Sequence, residues 1–549
     1  VSVDLTSPTS GVSFAWTAIA DNGITGLTTN SGTTLIPEET LFNATTEPLT
    51  VTYTAIASGN IGFDCEGLPF YYEVTVNPKA QVNPVDDQTV CNDEELLIEF
   101  TTNVNGGNMT YSWTNDNSAI GLSNEGEGNI DIIASNTTDA PISANIVVTP
   151  SFENGGDINV GDPITFVITV NPTGQVNAVQ NQIVSNGFDT SLVEFSTTNV
   201  NGNTTFNWEN DLTSINLQDS DSGNIPSFTA TNTGTSPVTA TITVTPTFEN
   251  GGVSCTGPAT PFEITVNPTA QVNENIDIVV SDGDEINIPF STINTGGTTT
   301  YTWTNSDDTT GLELSGNSDI GFTATNTGTS PITTTVVVTP TFENGGNSNS
   351  GPTETFTITV NPPAQIDPII DIVVCNLDEV DDIIFSTQNT GGTTTYEWSN
   401  NNISISNNEL AASGSTSMIS GFTATNTSLS AQTATIEVTP TFTFEGNSNV
   451  GTPIEFTITV NPDATLIQPE NYVFCNGDTT ELISFATENT DGVVSFNWTN
   501  DNSDTGLTET AGDADVPVFN ATNNSNEPIV STIVVTPTSV SYTHLTLPT

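Results

Sequence analysis

Three short blocks recur along this chain at one spacing, and a single-domain fold cannot accommodate that. Thr-Val-Asn-Pro ends at Pro78, Pro172, Pro268, Pro362 and Pro462, in steps of 94 to 100 residues. Six tryptophans keep the same step: Trp16, Trp113, Trp208, Trp303, Trp398 and Trp498. Val-Thr-Pro does so too, with its proline at Pro150, Pro246, Pro340, Pro440 and Pro537. Such a period is too long for one turn of a solenoid and close to a small domain, so the chain reads as tandem domains. The Asn-Pro steps set the boundaries at 1–78, 79–172, 173–268, 269–362, 363–462 and 463–539, with a tail at 540–549 outside the pattern. Repeat 1 opens where the others have their second strand, and repeat 6 stops before the last hairpin and strand. Both read as shortened, and the chain as a piece of something longer.

Each repeat reads as a series of short strands. In residues 79–172, extended segments are predicted at Gln81–Val90, Leu96–Phe100, around Tyr111–Trp113, and at Ile130–Ser135, Ile142–Thr149 and Ile164–Val170. Val, Ile, Thr and Phe dominate these segments, and such residues suit a pleated, half-buried surface. Between the last two lies Glu153-Asn154-Gly155-Gly156, whose Asn-Gly step favours a tight hairpin; it recurs at Asn250-Gly251 and Asn344-Gly345. Six or seven short strands with polar turns predict an all-β fold, a β-sandwich in each repeat. The six tryptophans are assigned to the cores. So are the aromatic two residues before each, and the series Phe42, Ile132, Phe228, Phe322, Phe422 and Phe519. Junctions run from Asn-Pro straight into the next repeat without a Gly/Ser linker, which predicts a stiff, monomeric rod.

Charge narrows the function. The chain carries 64 acidic residues against one basic residue, Lys79, for a formal net charge of −63. Such a surface neutralises no phosphates, which excludes nucleic acid and direct binding to anionic membranes. The acidic groups are scattered, and charged residues make up only 12% of the chain, so it is not an acidic disordered tail.

Catalytic equipment is missing. Without arginine, and with one lysine and one histidine, the chain has no triad, phosphate clamp or His-based metal site, and it reads as non-catalytic. No cofactor is expected. Calcium is the one ion the loops suggest, through Asp219 and Asp221, Asp282 and Asp284, and Asp307 and Asp308; solvated turns are the plainer reading of the same residues. Cys91, Cys375 and Cys475 share one repeat position, with Ser185 and Ser281 in their place elsewhere. Cys65 and Cys255 share another, near the last hairpin. Cys65 and Cys91, across a junction, form the one pair at a suggestive separation; a bridge there and free thiols both stay open.

Tyr301-Thr302-Trp303-Thr304-Asn305, Phe322-Thr323-Ala324-Thr325-Asn326-Thr327-Gly328 and Thr359-Val360-Asn361-Pro362 resemble the PKD-like, immunoglobulin-like repeats of large Bacteroidetes cell-surface proteins, marine flavobacteria in particular. The resemblance implies tandem immunoglobulin-like sandwiches, export to the cell surface by a type IX route, and a part in adhesion, gliding or stalk formation. The Trp-Asp-Phe-Gly-Asp-Gly run usual in PKD domains is replaced by Trp-Thr-Asn-Asp, Trp-Glu-Asn-Asp or Trp-Ser-Asn-Asn. The expectation is therefore an extracellular spacer or adhesin stalk, with any glycan or protein ligand held by regions outside this piece. The alternative is a string of glycan-binding modules on a secreted polysaccharide-degrading enzyme. The tail Val540–Thr549, which holds the chain's one histidine, His544, resembles translated sequencing-adapter DNA and is read as foreign to the repeat.

Overall fold

A computed structural model describes residues 2–59 and 65–540; the adapter-like segment from 541 onward, His544 included, lies outside the described residues. Repeat 2 shows the plan. Its strands are β1 (Gln88–Cys91), β2 (Glu95–Ile98), β3 (Asn108–Asn115), β4 (Glu125–Glu127), β5 (Ile130–Ile133), β6 (Ile142–Asn154), β7 (Asp157–Val160) and β8 (Ile164–Asn171). One sheet has the order β1-β8-β6-β3-β4, with β7 also on β6; β2 and β5 form a second, two-stranded layer. The first strand runs parallel to the last, with Cys91 in register with Asn171. Strand β1 is far shorter than the sequence pattern suggests: only Gln88–Cys91 join a ladder, on β8, while upstream Asn83 N makes a single backbone bond to Thr101 O.

Strand β6 explains the Val-Thr-Pro block. Up to Val148 it pairs with β8, and from Ser151 it pairs with β7. Pro150 falls where the strand changes partners, so its missing N–H leaves no gap in the ladder. Beyond it, Phe152 is completely buried and packs with Ala80 and Val104 in a second small core beneath the hairpin. The hairpin closes through Gly155 and Gly156, both at positive φ (68° and 89°), the backbone of a two-residue type I′ turn.

Contacts divide the chain into two compact units. The first comprises Val1–Thr269 with Thr295–Gly297 and Glu343–Ser348; the second comprises Ala270–Asn294, Thr298–Phe342 and Asn349–Thr549. In the first unit, separate apolar clusters surround Trp16, Trp113 and Trp208. In the second, they surround Trp303, Trp398 and Trp498. All six indoles are buried. The preceding aromatics are mostly half-buried and pack, with tilted rings, against a phenylalanine after the second strand, as in Phe100–Tyr111 at 5.5 Å and Phe385–Tyr396 at 5.4 Å.

The later series departs from its core assignment. Phe422 is buried, but Phe42 is 60% exposed and Ile132, Phe228, Phe322 and Phe519 are half-buried. Phe42, Ile132, Phe322 and Phe422 lie on short two-stranded pairings and Phe228 and Phe519 beside isolated bridges, a layer that covers only part of the large sheet. Full burial in four of the repeats goes instead to the alanine two residues on: Ala134, Ala230, Ala324 and Ala424.

Candidate functional site: the junction between repeats

The block Phe-Thr-Ala-Thr-Asn ends in a buried amide that ties a repeat together. Asn326 donates through Nδ2 to Ser330 O (2.9 Å) and Val360 O (2.7 Å), and its Oδ1 accepts from Gly328 N (2.9 Å). Asn136 and Asn426 repeat both carbonyl contacts. The loop before the last strand's end is thereby locked to the Val of Thr-Val-Asn-Pro.

The asparagine of Thr-Val-Asn-Pro works outward instead. In the first unit, Asn171 is fully buried; it donates to Asn250 O (2.9 Å), and Asn250 Nδ2 donates back to Asn171 Oδ1 (2.9 Å). Asn77 and Asn154 form the same reciprocal pair, at 3.1 and 2.9 Å. Thus the hairpin of one repeat seats on the trailing end of the repeat before it. A second contact fixes the angle: Asn105 N donates to Thr46 O, and Val200 N to Asp139 O. Gly106 supports this contact with φ +83°, where an added Cβ would lie 2.6 Å from Pro48 Cδ.

In the second unit, Asn361 donates to Asn447 O (3.2 Å), and Asn447 donates to Val279 O (3.1 Å). Phe444 stands where the hairpins of repeats 2 to 4 carry asparagine, so the reciprocal donor is lost and buried Asn361 Oδ1 has no partner. Thr390 N still donates to Thr329 O, and Thr490 N to Leu429 O.

One junction is covalent. Cys91 bonds Cys255 across 164 residues of sequence, with Cα atoms 5.5 Å apart. This corrects the pairing of Cys91 with Cys65. Because β1 runs parallel to β8, Cys91 lies at the trailing end of repeat 2, where the hairpin of repeat 3 arrives. Cys65 lies on repeat 1's own hairpin strand, paired with Gly59, at that repeat's leading end; it is an exposed free thiol. Ladder register also places Asn449, opposite the hairpin phenylalanine in the manner of Asn159 and Cys255, at the cysteine position. Cys375 and Cys475 are exposed free thiols. Burial, then the Asp378 and Asp463 carboxylates, push the Cys375 thiol up, which favours its protonated form.

The candidate calcium ligands are not gathered together. Asp282 Oδ1 accepts from Asn326 N (2.7 Å), and Asp284 Oδ2 from Ser281 N (2.7 Å). Asp307 caps the short turn Asp308–Thr310 by accepting from Thr309 N (2.9 Å), which holds its carboxyl below the usual aspartate range. Asp221 accepts from Gln218 Nε2 and Ser222 N, while Asp219 contributes its backbone carbonyl to Asn210 N. Among the described residues, no three His, Cys, Asp or Glu side chains are grouped to hold a metal. No helix of the described residues is long and apolar enough to cross a membrane.

No curated protein matches this chain. Among solved structures, Sidekick-1 immunoglobulin domains 1–5 align at 12% identity over 84% of this chain and 95% of theirs, with a TM-score of 0.21. Drosophila N-cadherin EC1-4 aligns at 12% over 69% of this chain and 99% of its own (TM-score 0.22), and mouse cadherin-23 EC22-24 at 13% over 53% and 99% (TM-score 0.26). Scores this low carry no inference about binding or assembly. The family model of the PKD-like domain matches residues 1–80. With the strand order above, the chain is a tandem array of immunoglobulin-like β-sandwiches, the first of which matches the PKD-like domain.

Proposed function

We propose that this chain is a non-catalytic, extracellular spacer or adhesin stalk that holds a distal domain away from a cell surface. The observation that carries this reading is the docked junction. Repeats 1 and 2, 2 and 3, and 4 and 5 are joined by asparagine amides seated on the neighbouring hairpin, as at Asn171–Asn250, rather than by a flexible linker. Each such hydrogen bond is worth about 1 kcal/mol net, but leaving a buried amide unpaired costs roughly 1–3 kcal/mol, so the docked geometry is favoured over a bent one. Net charge adds to this, because like charges along the array repel and oppose folding back. Bacteroidetes origin and type IX export belong to the same reading and rest on the resemblance of the repeat blocks.

Small-angle scattering of the full chain tests it. Six sandwiches of about 33 Å each, placed in line, give a maximum dimension of roughly 200 Å. A compact particle, or a scattering curve typical of a flexible chain, would remove the stalk reading.

The glycan-binding alternative has one observation in its favour. Phe70, Tyr71 and Tyr72 of repeat 1 are 66%, 61% and 48% exposed on one strand. Binding of soluble polysaccharides that is lost in a Tyr71→Ala, Tyr72→Ala chain would favour that reading.

A further inference from the structure

We infer that the Cys91–Cys255 disulfide is a tension bypass, which carries load across repeats 2 and 3 while shielding both cores from extension. The inference rests on the stalk reading above, because a spacer meets load along its length.

The covalent path makes the case. Tension entering repeat 2 at Lys79 reaches Cys91 at the end of β1 and crosses the bridge to Cys255. It leaves repeat 3 through its last strand, Thr260–Asn267. Everything from 92 to 254 lies inside the closed loop. That includes strands β2 to β8, both tryptophans, Trp113 and Trp208, and most of both cores; outside it lie Ala80, Val82, Val85 and Val90 of repeat 2 and Phe262, Ile264 and Val266 of repeat 3. Fully stretched, 164 residues span roughly 570 Å, and the bridge replaces them with a Cα–Cα step of 5.5 Å.

The position of the bridge is the second argument. At the corresponding junction in the second unit, Ser281 stands at the Cys91 position and its Oγ donates to Asn447 Oδ1 (2.7 Å), two residues before Asn449, which holds the Cys255 position. Such a bond holds the junction in register at rest but yields under load, and the repeats on either side then extend fully. Disulfide and hydrogen bond thus start from the same strand position, reach neighbouring positions on the facing hairpin strand, and differ in what they do under force. The array contains a segment of fixed length between segments that give.

Single-molecule force extension of the full chain, held by its ends, tests this. Measurements are made on the native chain, on the chain treated with a dithiol, and on Cys255→Ser. The dithiol delivers two electrons and two protons to the bridge and closes to its own cyclic disulfide. The native chain should show a total contour shorter by roughly 570 Å and two fewer full-repeat steps, each roughly 330 Å for ~95 residues. Dithiol treatment and Cys255→Ser should both restore them. Equal contour in native and reduced chains overturns the bypass. If Cys255→Ser alters folding of repeat 3, native chain with and without dithiol still carries the comparison. A full native contour in a chain that scatters as a rod removes the bypass and keeps the stalk. A shortened native contour in a chain that scatters as compact keeps the bypass and removes the stalk.

Discussion

Asparagine does at the residue scale what charged pairs do in many proteins. With one lysine in the chain, ion pairs are scarce; the Lys79–Asp162 contact (2.6 Å) joins two exposed side chains and contributes little. Buried amides take over, because a neutral donor–acceptor pair avoids the cost of burying charge. Asn326→Ala should therefore destabilise repeat 4 by about 2–3 kcal/mol, read from denaturant unfolding, since it strands the carbonyls of Ser330 and Val360. Trp303→Ala should cost more, about 3–5 kcal/mol in the same assay, because the buried indole leaves a cavity. Asp116 gives a pH-dependent case. Its Oδ1 accepts from Asn145 N and its Oδ2 from Asn145 Nδ2, both at 2.7 Å, and these bonds hold its carboxyl below the usual aspartate range. A lowered folded value means the stabilisation is present above the unfolded pKa and is lost as pH falls through the folded one. Asp116→Asn should thus lower Tm at pH 7, and the gap from the native chain should close in the acid range below the ordinary aspartate pKa.

Among elements, the last hairpin has a second use besides reversing the chain. Its Phe152 packs a small core, and its Asn154 clasps the neighbouring repeat. Gly156→Val places a branched side chain at φ 89°, where no neighbouring atom lies within 4 Å of the new Cβ, so its cost is backbone strain alone. At about 1–2 kcal/mol, that strain should speed amide exchange of β7 about 5–30-fold and leave the Trp113 core protected. Whether the second unit's junction has the geometry of the disulfide-linked one is testable at the same scale. Ser281→Cys with Asn449→Cys reproduces the register of Cys91 and Cys255 in the second unit. Peptide mapping without reductant should recover a 281–449 cross-link; two free thiols there would show that the junction geometries differ.

For the whole molecule, charge and docking oppose each other. A net charge of −63 repels along the array, while buried amides hold neighbouring repeats in register. Raising ionic strength from 0.01 M to 0.15 M shortens the screening length from about 30 Å to about 8 Å. Tm should rise by about 4–8 °C for each 1 kcal/mol of repulsion relieved per repeat. Calcium at matched ionic strength, against chelator, separates screening from site binding. A rise beyond the sodium control that Asp219→Asn with Asp221→Asn abolishes would identify those loops as calcium sites, and an equal rise would assign the effect to screening.

What the sequence determined alone was periodic. A 94–100-residue step in Trp and in Thr-Val-Asn-Pro places one tryptophan-centred sandwich per repeat, because strand alternation and an apolar pattern need only local neighbours to be read. The role of the asparagine in Thr-Val-Asn-Pro was hidden. A polar residue at the end of an apolar strand reads as a turn, although its recurrence at every repeat was the available signal. Only tertiary structure decided the rest. Parallel pairing of β1 with β8 puts Cys91 at the end of its repeat that meets the next hairpin, so its partner is Cys255 rather than the nearer Cys65. Sequence separation measures distance along the chain, whereas disulfides and buried amides form across space, where strand order sets which residues meet.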